Sequence, residues 1–146
     1  NANLRNVDLK WANLEGAYLV GADLRYSQLV TANLTKANLV NANLVNANLS
    51  WANLEDANLK GTEIRYANLE DANLKNANLE GANLVNASLV HINLINGRLP
   101  KNSFVNYIRR LDFGLKPDLD FRFEYFLNHE APSSSLSVLG LLPIPA

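Results

Sequence analysis

The chain has 146 residues, no cysteine and no methionine, and its formal net charge is −1 at pH 7. This length suits one domain, and the missing cysteines exclude disulfides and cysteine metal ligands. The near-neutral charge disfavours a nucleic-acid-binding surface, and no apolar run is long enough to span a membrane.

A large aliphatic residue stands at every fifth position of the first hundred residues, twenty times without an insertion or deletion. It is Leu at nineteen positions, from Leu4 to Leu99, and Ile64 at the other. A small residue, usually Ala, stands two residues earlier, and the position between them is Asn thirteen times. An α-helix would spread residues five apart over all its sides, and a flat strand would turn them to alternating faces. The pattern therefore predicts a solenoid whose chain bends every five residues.

The string Ala-Asn-Leu-x-x, as in residues 37–44, resembles the pentapeptide-repeat family. The resemblance covers residues 1–100. Within the family, this sequence is similar to the very regular repeat proteins that are abundant in cyanobacteria. It implies an all-β fold, a right-handed quadrilateral parallel β-helix with four repeats per coil and therefore about five coils. The family implies this fold but does not imply a single activity.

The aliphatic residues are expected to fill the axis of the solenoid, while the small residues let its walls approach each other. Asn residues stacked from coil to coil predict an amide ladder, and Gly and Asn suit the corners because both tolerate unusual backbone angles. One predicted core column consists of Leu4, Leu24, Leu44, Ile64, Leu84 and Phe104.

Aromatic residues recur at predicted corners with a period of forty residues, or two coils. Two neighbouring corner columns read Asn6, Tyr26, Asn46, Tyr66, Asn86 and Trp11, Thr31, Trp51, Asp71, His91. Trp and Tyr are favoured at protein interfaces, so the side between these corners is the predicted partner-binding surface. The alternative is that the aromatic side chains only shield the corner backbone. The candidate binding residues are Trp11, Arg25, Tyr26, Trp51, Arg65 and Tyr66.

The sequence predicts three segments, since the repeat pattern stops at Pro100. Residues 1–100 form the repeat β-helix, residues 101–130 a C-terminal capping segment, and residues 131–146 a flexible, irregular tail rich in Pro and Ser. The tail carries an apolar cluster that favours docking on the rod or on a partner.

A short helical cap is predicted over residues 103–111, where Phe104, Ile108 and Leu111 follow one another at helical spacing. Residues 117–128 alternate like a strand but open on a good helix start, so both structures stay open. A cap is expected because a bare terminal coil exposes unpaired strand edges.

No cap is visible before the first repeat, so either upstream sequence is missing or the first coil meets another molecule. An end-to-end homodimer and a homodimer through the C-terminal segment are both open predictions. The compartment is not determined by the sequence, and the candidates are the cytoplasm or, if a signal has been removed, the periplasm or thylakoid lumen.

No catalytic site, metal site or cofactor is predicted. His91 and His129 stand alone, whereas metal ligation needs clustered ligands. Ser50, Ser88 and His91 are predicted to share a side, but a convex solenoid surface offers no dry pocket for nucleophilic catalysis.

The predicted function is a non-enzymatic structural scaffold or protein–protein interaction module, with a protein partner and without nucleic acid or membrane. The alternative, implied by the quinolone-resistance members of the resembled family, is a DNA mimic that binds gyrase or another topoisomerase. A DNA mimic needs a dense run of negative charge. The repeat region instead carries eight basic and nine acidic residues, interleaved, which disfavours this alternative.

Overall fold

The structure, a computed structural model, describes residues 1–98 and residue 100. Within these residues the backbone forms no helix and no continuous strand, but it makes sixteen single-residue parallel bridges. Each bridge joins two residues that are twenty positions apart, from Asn3–Asp23 to Asn78–Arg98. Successive twenty-residue turns of the chain, here called coils, therefore stack in register.

Each coil has four sides, named by the bridging residue that each contributes to the first coil. Side 1 carries Asn3, side 2 Asp8, side 3 Asn13 and side 4 Tyr18, and residues that differ by multiples of twenty share a side. Corners A, B, C and D follow sides 1 to 4 and contain residues 5–6, 10–11, 15–16 and 20–21 of coil 1. Coils 1 to 5 begin at residues 2, 22, 42, 62 and 82.

The corners are tight turns that contain a residue in the left-handed backbone region. Every fifth residue from Asn6 to Asn96 has a φ between 52° and 70°. The nitrogen of the residue after it donates to the aliphatic carbonyl three residues back, as from Ala12 N to Leu9 O at 3.1 Å. A positive φ at only the third residue of such a turn is typical of type II turns. Four turns in twenty residues give the coil its four sides.

The core lies along the axis, where the aliphatic and small side chains point inward. Leu24, Leu44 and Ile64 are fully buried, and Leu84 is nearly so. Leu4 is only partly buried, since within the described chain coil 2 alone covers it. The sixth residue of this predicted column, Phe104, lies outside the described residues.

Backbone hydrogen bonds run both along each corner and between coils. Throughout coils 1 to 3 the aliphatic nitrogen and the corner nitrogen donate to the next coil, as from Leu24 to Asn43 O at 2.7 Å. The bridging residue donates back, as from Asn43 to Ala22 O at 2.9 Å. The nitrogen directly after each aliphatic residue, by contrast, has no backbone acceptor among the described residues, even in the inner coils.

The Asn side chain satisfies this remaining N–H. All thirteen bridging Asn residues accept a hydrogen bond on Oδ1 from the nitrogen two residues later, as Asn53 does from Glu55 at 3.1 Å. Such a side-chain turn explains why a short amide is favoured at the bridging position. Near the end of the repeats Arg98 replaces Asn, and the residue two positions later is Pro100, which has no N–H to satisfy.

An amide ladder occupies side 3, where all five bridging residues are Asn. Asn33 donates to Asn13 at 3.3 Å, and Asn73 donates to Asn53 at 3.0 Å. Asn93 donates to Asn73 at 3.0 Å. The same side chains thus hold both their own corner and the neighbouring coil.

The predicted capping helix over 103–111, the segment 117–128 and the tail 131–146 lie outside the described residues. Nothing in the described part of the chain forms a helix of the length and apolarity that a bilayer crossing requires. The hand of the coil stays a prediction.

Candidate interaction surface

Side 2 and its two flanking corners bring together four of the six candidate binding residues. Tyr26 and Tyr66 stand at corner A, on coils 2 and 4. Trp11 and Trp51 stand at corner B, on coils 1 and 3. Between the corners runs the outward column of side 2, which consists of Asp8, Gln28, Asn48, Asn68 and Ser88.

The four aromatic side chains face solvent. Trp11 is 77% exposed, Trp51 62%, Tyr66 56% and Tyr26 49%. Their corners are left-handed, with φ between 60° and 62°. This conformation costs an L-residue about 1–2 kcal/mol, and bulky residues rarely adopt it. Because these rings are about half exposed or more, packing within the chain offsets only part of that cost.

The Trp and Tyr residues alternate from coil to coil. Where corner B carries a Trp, corner A carries Asn6 or Asn46. Where corner A carries a Tyr, corner B carries Thr31 or Asp71. Side 2 therefore has one large ring on each of its first four coils, at alternating edges.

The other two candidate residues, Arg25 and Arg65, are tied to side 1 by ion pairs. Arg25 donates from Nε to Asp23 Oδ1 at 2.8 Å and from Nη2 to Asp23 Oδ2 at 2.6 Å. Arg65 Nε lies 3.0 Å from Glu63 Oε2. These contacts orient both guanidinium groups within the chain, so the structure does not place them with the aromatic rings as free cations.

The Arg25 hydrogen bonds lower the pKa of Asp23 from 3.8 to about 2. A second cation, Arg5, lies 3.9 Å from Asp23 Oδ2 and adds to the lowering. Sequence reasoning missed these pairs, although the motifs Asp-x-Arg and Glu-x-Arg at the two sites were a usable signal. The motif brings acid and base together because both side chains leave the same short turn.

On coils 4 and 5, corner B carries two acidic residues and a histidine. His91 Nδ1 lies 3.4 Å from Asp71 Oδ1 in the corner column. Glu70, beside Asp71, has no Lys, Arg or His within 4.0 Å among the described residues. Glu70 is therefore an uncompensated charge at the edge of side 2.

The Ser50 hydroxyl on this surface takes part in a structural hydrogen bond. Ser50 Oγ donates to Asn48 Oδ1 at 2.8 Å, so it belongs to the corner turn. Among residues 1–98 and 100, no three His, Asp or Glu side chains are grouped as a metal ion requires. The other histidine, His129, lies outside the described residues.

One exposed aromatic residue lies outside the predicted surface. Tyr18 is 78% exposed and occupies the bridging position of side 4, across the coil from side 2. The signal that could have found it is the replacement of a bridging Asn by an aromatic residue. Because it stands alone on its side, Tyr18 is a suitable control for the paired aromatics of side 2.

A family model described as Pentapeptide repeats matches residues 2–39, 29–61 and 62–99, with eight copies in all. Comparison with curated proteins gives no significant match.

Three solved structures are similar to this chain. A pentapeptide repeat protein from the Arabidopsis thaliana thylakoid lumen is 27% identical, with a TM-score of 0.56, over 78% of this chain and 85% of that one. Rfr23, a pentapeptide repeat protein from the cyanobacterium Cyanothece 51142, is 31% identical, with a TM-score of 0.45, over 68% of this chain and 81% of that one. QnrB1, a plasmid-mediated fluoroquinolone resistance protein, is 20% identical, with a TM-score of 0.40, over 87% of this chain and 70% of that one. The twenty-residue stacking, the five-residue corners and the family match lead to one conclusion: this chain belongs to the pentapeptide-repeat family.

Proposed function

We propose that the protein is a non-enzymatic interaction module, a right-handed quadrilateral β-helix that binds a protein partner through side 2 and corners A and B. The observation that carries this proposal is the set of four exposed aromatic residues at left-handed corners. Large aromatic side chains in rigid positions supply much of the energy of protein interfaces.

Side 2 is also rigid enough to present its side chains at constant spacing. Parallel bridges join Asp8 to Gln28, Gln28 to Asn48, and so on to Ser88. Binding surfaces on hydrogen-bonded elements are more precise than those on loops, and they lose less conformational entropy when a partner docks. The surface combines exposed aromatic rings with polar side chains, and aromatic residues are enriched at protein interfaces relative to the rest of the surface.

The DNA-mimic alternative has less support from the charges of the described residues. Four of the nine acidic groups lie within 4.0 Å of a Lys or Arg nitrogen, and these are Asp8, Asp23, Glu55 and Glu63. A surface that imitates phosphates needs acidic groups that are not already neutralised. We therefore expect the protein to leave gyrase supercoiling unchanged.

The proposal is tested by replacing Trp11 and Trp51 together with Ala and capturing bound proteins from the source organism. We expect the partner to be lost while the circular dichroism spectrum stays that of the unaltered chain. Tyr18→Ala is the matched control, because it removes an equally exposed ring from side 4. A double variant that still captures every partner of the unaltered chain would refute the proposal.

A further inference from the structure

We propose that the partner of side 2 is a second copy of this chain, packed against it in a parallel twofold dimer. This inference rests on the proposed function, since it names the occupant of the same surface. It differs from the end-to-end and C-terminal dimers that the sequence suggested, because the two solenoids would lie side by side. The juxtaposition that carries it is the alternation of Trp and Tyr between corners A and B.

A twofold axis parallel to the solenoid, in the plane between two facing copies of side 2, places corner A of one copy opposite corner B of the other. Such an interface is isologous, so each contact occurs twice. Coil lies opposite coil, and every ring then meets a smaller residue. Trp11 faces Asn6 of the partner subunit, and Tyr26 faces Thr31 of the partner subunit.

The next two coils repeat this arrangement. Trp51 faces Asn46 of the partner subunit, and Tyr66 faces Asp71 of the partner subunit. If the Trp and Tyr residues stood on the same coils, ring would oppose ring at both edges and hold the two sides apart. The stagger therefore makes side 2 complementary to itself.

The middle of side 2 is also compatible with a twofold axis. On this axis each bridging residue faces its own counterpart, and the amides of Gln28, Asn48 and Asn68 can both donate and accept. Asp8 would face Asp8 of the partner subunit, but Lys10 Nζ lies 3.6 Å from each Asp8 carboxylate and offsets this repulsion.

The edges offer one charge complementarity between copies. Glu70 at corner B of coil 4 has no Lys, Arg or His within 4.0 Å among residues 1–98 and 100. The twofold brings it toward corner A of coil 4 in the other copy, where Arg65 of the partner subunit stands. Arg65 is already paired with Glu63, so Glu70 would extend that pair into a three-member network.

The area available indicates a weak dimer. An aromatic side chain can bury about 150–250 Å², so four rings that are half exposed or more provide roughly 300–500 Å² per copy. The rings alone fall short of the roughly 800 Å² per partner of a standard interface, so the polar column would have to supply the rest. We therefore expect a dimer that dissociates in the micromolar range and follows protein concentration.

Sedimentation of the full chain over a range of concentrations is the first test. We expect a monomer–dimer equilibrium whose dissociation constant rises at least tenfold in the Trp11→Ala/Trp51→Ala variant and is unchanged in Tyr18→Ala. A chain that stays monomeric at several hundred micromolar would overturn the inference.

Cysteine cross-linking tests the geometry, because the chain has no cysteine of its own. Gln28→Cys and Ser88→Cys each place a thiol on the twofold axis, so each variant should be linked to itself by a short bis-maleimide reagent. Tyr18→Cys on side 4 should give no linked dimer. Efficient linking through Tyr18→Cys alone, or a dimer unlinked through both side 2 cysteines, would contradict the parallel arrangement.

The outcomes for the inference and for the proposed function can be separated. If the chain is monomeric but the Trp variant loses a captured protein of another kind, the homodimer is refuted and the interaction surface stands. If the chain is monomeric and the Trp variant keeps every captured partner, both are refuted.

Discussion

At the scale of single residues, the bridging Asn side chains perform two kinds of hydrogen bonding. Asn58 only accepts from its own corner, where Lys60 N lies 3.2 Å from Oδ1. Asn53 accepts from Glu55 N and also from the amide of Asn73 on the next coil, at 3.0 Å. The two residues therefore separate the contribution of the corner from that of the ladder.

Replacing Asn58 with Ala should lower the free energy of unfolding by about 1 kcal/mol, the usual net value of one hydrogen bond. Asn53→Ala should cost more, because it also removes the 3.0 Å acceptor of the Asn73 amide and leaves that amide only the longer contact to Glu55 Oε2 at 3.4 Å. Asn58→Asp keeps the acceptor and should cost least, as Asp8 and Asp23 show by filling the same role. Urea unfolding measures all three, and equal losses for Asn58→Asp and Asn58→Ala would contradict the corner bond.

Because of Asp23, the free energy of unfolding should depend on pH in the acidic range. Its pKa is about 2 in the folded chain, chiefly because Arg25 donates hydrogen bonds to the carboxylate, against 3.8 ordinarily. The unfolded chain then binds more protons between about pH 4 and pH 2, so the stabilisation is complete above this window and is lost as pH falls through it. The effect is small, since the carboxylate is open to solvent and screened by salt.

Asp23→Asn is the matched variant for this prediction, because Asn keeps the acceptor for Arg25 N and removes the titration. The difference in stability between the unaltered chain and Asp23→Asn should shrink as the pH is lowered from 5 to 2. Thermal unfolding at several pH values measures it, and a difference that stays constant would contradict the role of the Arg25 pair.

At the scale of the five-residue repeat, the sequence predicted which positions point inward and which point outward. It could do so because each repeat is set by its own five residues and the pattern continues without interruption. Leu54 and Ala52 are buried for the same reason as the equivalent pairs of coils 2 to 4. It did not predict the Asn corner bond, because the recurring Asn was interpreted as an amide ladder between coils and not as an acceptor within its own corner. It also missed the Arg25 and Arg65 ion pairs, since the aromatic neighbours suggested that these side chains served a partner.

Two glycines at corner D allow the cost of the left-handed backbone to be separated from the cost of a steric clash. A Cβ added to Gly61 would collide with Asn41 Oδ1 on the coil before it. A Cβ added to Gly81 would meet nothing closer than 3.9 Å. Both residues have a positive φ, 67° and 70°, so both substitutions carry the backbone cost and only one carries the clash.

Gly81→Ala should therefore cost about 1–2 kcal/mol, the penalty of the left-handed conformation. Gly61→Ala should cost more, because Asn41 must also move. In an Asn41→Gly background the cost of Gly61→Ala should fall to that of Gly81→Ala, and a double-mutant cycle in urea measures this coupling. Equal costs for the two Gly→Ala variants in the unaltered chain would show that the Asn41 contact does not matter.

At the scale of the whole molecule, the number of residues between two positions determines which side or corner of the solenoid each of them occupies. This follows because every five residues turn the chain by one corner and four corners complete a coil. Trp11 and Trp51 share corner B because forty residues separate them. A change of five residues between them should rotate everything that follows by one side, while each aliphatic residue still points inward. Core and surface can therefore be altered independently, as each repeat contacts only its neighbours.

Deletion of residues 41–45 shifts all later residues by one side and keeps the inward pattern. It therefore tests whether binding needs the arrangement of the aromatic rings on side 2. It joins Val40 to Asn46 in frame and moves Trp51 to corner A, so the Trp and Tyr residues lose their alternation. Deletion of residues 71–75 removes the same number of core residues beyond Tyr66 and leaves the four aromatics in place. We expect both shortened chains to keep the circular dichroism spectrum and to have similar stabilities in urea.

Dimerisation and partner capture should be lost only after deletion of residues 41–45, because that change alone breaks the columns of rings. Sedimentation and affinity capture measure this for the two shortened chains side by side. If the chain without residues 41–45 binds as well as the unaltered chain, the arrangement of the aromatic residues around the solenoid has no part in recognition. If both shortened chains fail to bind while remaining folded, the binding surface extends past coil 4.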